Sequence, residues 1–103
     1  GVDDRLHWGA LVLAPGTFQV TCGQRSARLS RKEYDLLEML MRNGGQILSK
    51  EQLLLKAWGY ESNAEDNNVE VYISFLRRKL ELVRSNMGIR TVRLVVYCLE
   101  EKE

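Results

Sequence analysis

The stretch from Asn67 to Val83 constrains this chain more than any other part of it. No Gly or Pro interrupts it, so one long helix is the expected structure. Val69, Ile73, Leu76, Leu80 and Val83 recur at spacings of four, three, four and three residues. At roughly 100° per residue these five share one side, which predicts a face turned to the core. The opposite side carries Asn67, Glu70, Val71, Ser74, Phe75 and Arg78, with Arg77 on its flank. A helix side meant only for water is polar and charged along its length. This one mixes an amide, a hydroxyl, two apolar side chains and an arginine.

Groups of that mixture are the ones that reach base edges and phosphates in a DNA major groove. The competing reading is a surface helix with two stray apolar residues. Bulk charge does not separate the two, because the 103 residues carry a formal charge of only +1. Its distribution says more. Between Asn67 and Arg93 stand six basic residues (Arg77, Arg78, Lys79, Arg84, Arg90, Arg93) and two acids, Glu70 and Glu81. The remainder of the chain is therefore net negative, and a basic patch on a near-neutral domain is one form of electrostatic footprint.

Length allows one domain with one core, and a composition 45% hydrophobic and 28% charged is that of a globular chain. Cys22 and Cys98 lie far apart and form no metal-ligand spacing. With no secretory segment in the sequence, reduced thiols and a cytoplasmic location are the expectation. His7 is the single histidine, so neither a histidine metal cluster nor a histidine-based catalytic pair can be assembled. No enzyme activity and no cofactor is expected.

The front third is β-like. Leu6, Trp8, Leu11, Val12 and Leu13 precede Pro15-Gly16, a turn dipeptide. Thr17 to Cys22 alternates polar and apolar, and Gly23-Gln24 turns it into a further strand over Arg25 to Leu29. A small antiparallel meander is expected, with Trp8 covering it. Ser30-Arg31-Lys32-Glu33 and Ser49-Lys50-Glu51-Gln52 are two capping boxes, each opening a helix. Asn43-Gly44-Gly45 ends the first, supplying a left-handed cap, and Gly59 stops the second after Trp58. Gln46 to Leu48 is a brief extended link, Tyr60 to Asp66 a polar loop, Ser85 to Gly88 a turn, Ile89 to Leu99 β-branched and Glu100 to Glu103 a solvated tail. The second helix, the loop and the longer third helix have the order of a helix-turn-helix.

Four blocks in this order resemble the winged-helix effector domain of OmpR/PhoB-type two-component response regulators. They are Leu29 to Leu37, Ser49 to Gly59, Val69 to Leu80, and Arg90 to Arg93 with Tyr97. The resemblance implies an α+β winged helix-turn-helix with an N-terminal four-stranded antiparallel sheet, three helices and a C-terminal β-hairpin wing. It implies a domain over residues 6–100, a linker remnant at 1–5 and a tail at 101–103, with a phosphorylated receiver domain belonging to the full-length protein. It implies that the third helix enters the major groove of double-stranded DNA and that the wing reaches the neighbouring minor groove. Carried over residue by residue, the contacts fall on Asn67 and Asn68 at the helix start and on Val71, Ser74 and Phe75 along the base-reading face. Tyr72, Arg77 and Arg78 fall towards the backbone, Arg93 in the wing, and Trp58 against a phosphate. Asn can pair with adenine N6 and N7, Val71 and Phe75 suit thymine methyls, and Arg93 suits a narrow A·T-rich minor groove. The loop Tyr60, Glu61, Ser62, Asn63, Ala64 and Glu65 corresponds to a contact for RNA polymerase, and a second copy is expected on tandem half-sites.

Two departures qualify the resemblance. Relatives often carry basic residues where this chain has Ser74 and Phe75. They also usually place Gly just before the wing tyrosine, whereas here Thr91 to Leu99 contains no Gly, Pro, Asn or Asp. Tight hairpin turns need positive φ, which β-branched residues resist. Locally the segment reads as one unbroken strand that would pair with another copy; family geometry favours the hairpin. The rival function is a winged helix that binds protein, for which the low net charge and the apolar Val71 and Phe75 speak.

Overall fold

The computed structural model describes the backbone of residues 5–59, 66–92 and 96–101, and the side chains of residues 5–59 and 69–91. The alternation in the front third decides its packing. Leu11, Leu13 and Val20 are fully buried, and Leu13 stands opposite Val20 on one face of a sheet. That sheet comprises β1 (Leu6–Trp8), β2 (Leu11–Ala14), β3 (Gln19–Cys22) and β4 (Arg25–Arg28), paired antiparallel in chain order. Thr17 and Phe18, read from the sequence as strand, lie instead in the turn before β3, with Phe18 at a φ of 54°. That conformation accompanies an edge-on contact between Phe18 and the Tyr34 ring at 4.9 Å. Trp8 covers the sheet and lies against the chain beyond the first helix, where a Cβ at Gly44 would overlap its ring.

Both capping boxes form. The Ser30 amide donates to Glu33 Oε1 at 2.7 Å and the Glu33 amide to Ser30 Oγ at 3.3 Å, which starts α1 (Arg31–Arg42). The Ser49 amide donates to Gln52 Oε1 at 2.8 Å and the Gln52 amide to Ser49 Oγ at 3.1 Å, which starts α2 (Lys50–Trp58). Each pair satisfies two amides that a helix start leaves open. Gly59, at a φ of 81°, closes α2. The left-handed residue after α1 is Gly45, while Asn43 keeps a φ of −113°.

The third helix, α3 (Asp66–Leu82), buries the side that its periodicity assigns to the core. Val69, Ile73, Leu76, Leu80 and Val83 are all 1% exposed or less. They pack with Leu36, Leu37 and Leu40 of α1 and with Leu53 of α2 in one core. The helix ends in a Schellman turn: the Ser85 amide donates to the Leu80 carbonyl and the Arg84 amide to the Glu81 carbonyl, each at 3.0 Å. Arg84 takes the left-handed position at a φ of 55°, where Gly is usual. The Lys79 ammonium crosses to the front sheet, donating to the Arg28 carbonyl and standing 3.8 Å from the buried Glu33 carboxylate.

A second sheet holds β5 (Leu48–Ser49), β6 (Met87–Val92) and β7 (Val96–Glu101) in the order β5-β7-β6. β6 and β7 pair antiparallel from Met87 opposite Glu101 to Val92 opposite Val96, so the C-terminal segment is a hairpin and not one extended strand. Residues 93–95, between the two strands, lie outside the described residues. β6 begins two residues earlier than its β-branched run, inside the segment read as a turn. β7 continues through Glu100 and Glu101, into the segment read as tail. The architecture is the expected α+β winged helix-turn-helix: front sheet, three helices, C-terminal hairpin.

Candidate nucleic-acid interface

Among the described residues, the outer side of α3 is left open. Val71 is 46% exposed and Phe75 41%, and Glu70, Ser74, Arg77 and Arg78 are exposed with them. Phe75 does not wave freely. Its ring meets Tyr72 edge-on at 5.5 Å and 81°, and Tyr72 meets Trp58 edge-on at 5.4 Å and 70°. Over the Trp58 ring, at 5.1 Å, sits the Lys32 ammonium, which also donates to the Ala57 carbonyl at 2.5 Å. A row of side chains thus runs from α1, across the end of α2, to the outer side of α3. Tyr72 and Trp58 are half-buried against the core and give the row its footing.

Arg77 joins the helix to the wing. Its Nε donates to the Ile89 carbonyl at 3.1 Å and its Nη2 to Thr91 Oγ1 at 2.7 Å. A guanidinium offers five N–H donors in a rigid fork, so three remain for another acceptor. On the other flank, Lys50 at the start of α2 pairs with Glu70 of α3 at 2.6 Å. Lys50 and Arg77 therefore fix the attitude of α3 towards its two neighbours. Lys32, Lys50, Glu70 and Thr91 are not among the site residues the sequence points to. Their partners lie on other elements, and nothing in local spacing announces them.

The remaining site expectations divide by what is described. Asn67 and Asn68 fall in the first turn of α3, but their side chains lie outside the described residues, as do Arg93 and the loop from Tyr60 to Glu65. Val71, Ser74, Phe75 and Arg78 share the open side, with Arg77 at its edge and Tyr72 and Trp58 as supports. Among the described residues no group of three His, Cys, Asp or Glu could hold a metal ion, and no helix is long and apolar enough to cross a membrane.

Residues 23–99 match the family model described as "Transcriptional regulatory protein, C terminal". The chain belongs to that family, the winged-helix effector domains of OmpR/PhoB-type response regulators. It is 39% identical over 99 residues to the transcriptional regulatory protein DltR of Streptococcus agalactiae, covering 96% of this chain and 44% of that protein. It is 43% identical over 91 residues to the response regulator MprA of Mycobacterium avium, covering 88% of this chain and 40% of that one. The chain thus spans about two-fifths of the length of the curated relatives it matches. Among solved structures, the Klebsiella pneumoniae RstA DNA-binding domain in complex with the RstA box superposes with a TM-score of 0.76 at 32% identity, covering 92% of this chain and 95% of that one.

Proposed function

We propose that this effector domain binds double-stranded DNA sequence-specifically, as the output module of a two-component response regulator that controls transcription. The observation that carries the reading is the two-sidedness of α3. Its apolar stripe is spent on the core, and its opposite side stays uncovered with base-compatible groups on it. In this reading α3 lies in the major groove. Val71, Ser74 and Phe75 face base edges, and Asn67 and Asn68 contact bases at the entry of the helix. Arg78 and the free N–H groups of Arg77 hold phosphates, which position the domain without specifying sequence. Trp58 and Tyr72 support the reading face from behind. Arg93 in the wing enters the adjacent minor groove. The partners are a receiver domain in the same full-length protein, a second copy on a tandem half-site, and RNA polymerase at the loop from Tyr60 to Glu65. The action is binding without chemistry.

The test is a selection of bound sites from random duplexes followed by a salt titration. Counterion release makes binding fall steeply with salt, by about 0.9 in log-log slope per phosphate neutralised. Arg93→Ala is expected to weaken binding to all sequences and to reduce that slope by about one. Asn67→Ala or Asn68→Ala should relax discrimination at one base position by about 1–3 kcal/mol. Binding that is flat with salt, or absent for every sequence, would instead favour a protein partner.

A further inference from the structure

Resting on the reading that α3 enters a major groove, we propose that Phe75 is a specificity-determining residue. It reads a thymine methyl, and the row Lys32–Trp58–Tyr72 is the device that aims it. Phe75 is superfluous to the core: the buried stripe of α3 is complete without it, and the ring stays 41% exposed. Yet its ring rests edge-on against Tyr72, itself braced by Trp58 beneath the Lys32 ammonium. An exposed aromatic that rests edge-on against a ring braced by two further helices is a partly preformed contact surface, because less rotamer freedom is left to lose on binding.

The base follows from chemistry. In the major groove guanine presents two acceptors, adenine an acceptor and a donor, and cytosine a donor. Only thymine adds an apolar group, its C5 methyl. A phenyl ring offers no hydrogen bond, so seating it over guanine or cytosine strands a polar edge, whereas seating it over thymine removes a methyl from water. Val71, 46% exposed, lies one turn earlier on the same side, about 6 Å along the axis. It provides a second methyl contact. Of the two nearby cations, Arg77 has two donors committed to the wing, and Arg78, one turn beyond Phe75 on the open side, goes to a phosphate in this reading. The half-site therefore carries thymines, not guanine, opposite the 71 and 75 positions.

The test replaces thymine by deoxyuridine, one position at a time, in a duplex that the unmodified domain binds with salt-dependent affinity. Uracil keeps the pairing and the hydrogen-bonding edge and lacks only the methyl. The expected result is a loss of about three- to fivefold at one or two thymines and none elsewhere, the worth of a buried methyl. Phe75→Ser should abolish the sensitivity at one of these positions, and Phe75→Leu, still apolar, should keep it. A duplex whose every thymine tolerates uracil, or a Phe75→Ser domain with the full original pattern, overturns the proposal while leaving DNA binding standing. Failure of the unmodified domain to bind any duplex would overturn both.

Discussion

The helices α1 and α3 each bury an apolar stripe in the same core, yet their outer sides are finished differently. On α1, Arg31 pairs with Asp35 at 3.4 Å, and Glu38 receives Arg42 at 4.0 Å and Lys56 of α2 at 3.0 Å. Its charges are closed within the domain, as suits a side facing water. On α3, Glu70 and Arg77 are tied to Lys50 and to β6, but Val71, Ser74, Phe75 and Arg78 remain exposed, and Arg78 makes no ion pair among the described residues. The contrast teaches how to recognise a working face. What marks it is not charge in bulk but the pairing of polar groups left undone, beside apolar groups the core could have used.

The largest effect expected separates the two sides of α3. Leu76→Ala should cost about 2–5 kcal/mol in urea unfolding, because it empties a fully buried site. Ser74→Ala should stay within about 0.5 kcal/mol. Equal costs would break the division into a structural and an open side. Next, Arg77→Ala should cost about 1 kcal/mol by removing two hydrogen bonds to β6, and should speed amide hydrogen exchange there. Unchanged exchange in β6 would mean that the helix does not hold the wing.

A smaller effect tests the closed side of α1. Burial pushes the Glu38 carboxyl up, but the hydrogen bond and charge of Lys56, then Arg42 and Tyr34, together hold it below the ordinary value. A folded-state value below the unfolded one stabilises above the unfolded value, and that stability is lost as pH falls through the folded one. Lys56→Met should therefore cost about 0.5–1 kcal/mol near neutrality, fading in acid once Glu38 is protonated in both states. A cost that persists in acid would assign Lys56 a packing role. The smallest effect is a gain. Arg84→Gly should add about 0.5 kcal/mol by relieving the left-handed φ at the end of α3.

Much of the fold was legible because its signals are local. The stripe from Val69 to Val83 needs only helix geometry, and Ser30 with Glu33 and Ser49 with Gln52 announce their own helix starts. The rest depends on partners distant in sequence. Phe18 leaves its strand and turns left-handed where its ring meets Tyr34 on α1. Residues 91–99 read locally as one strand, yet β7 pairs with β6 and also lies beside β5, Tyr97 opposite Leu48. Those pairings outweigh the missing turn residues. The site was legible as a side of a helix, but not as a supported one. The row from Lys32 to Phe75 spans three helices, and the Arg77 fork spans a helix and a strand.

In the proposed complex a duplex meets the open side of α3. The most direct measurement is an NMR titration of the isotopically labelled domain with its selected duplex. Shifts are expected to concentrate at the amides of Val71, Ser74, Phe75 and Arg78, with Arg31, Asp35 and Arg42 on the outer side of α1 unmoved. Shifts gathered on α1 and absent from the α3 positions would contradict it.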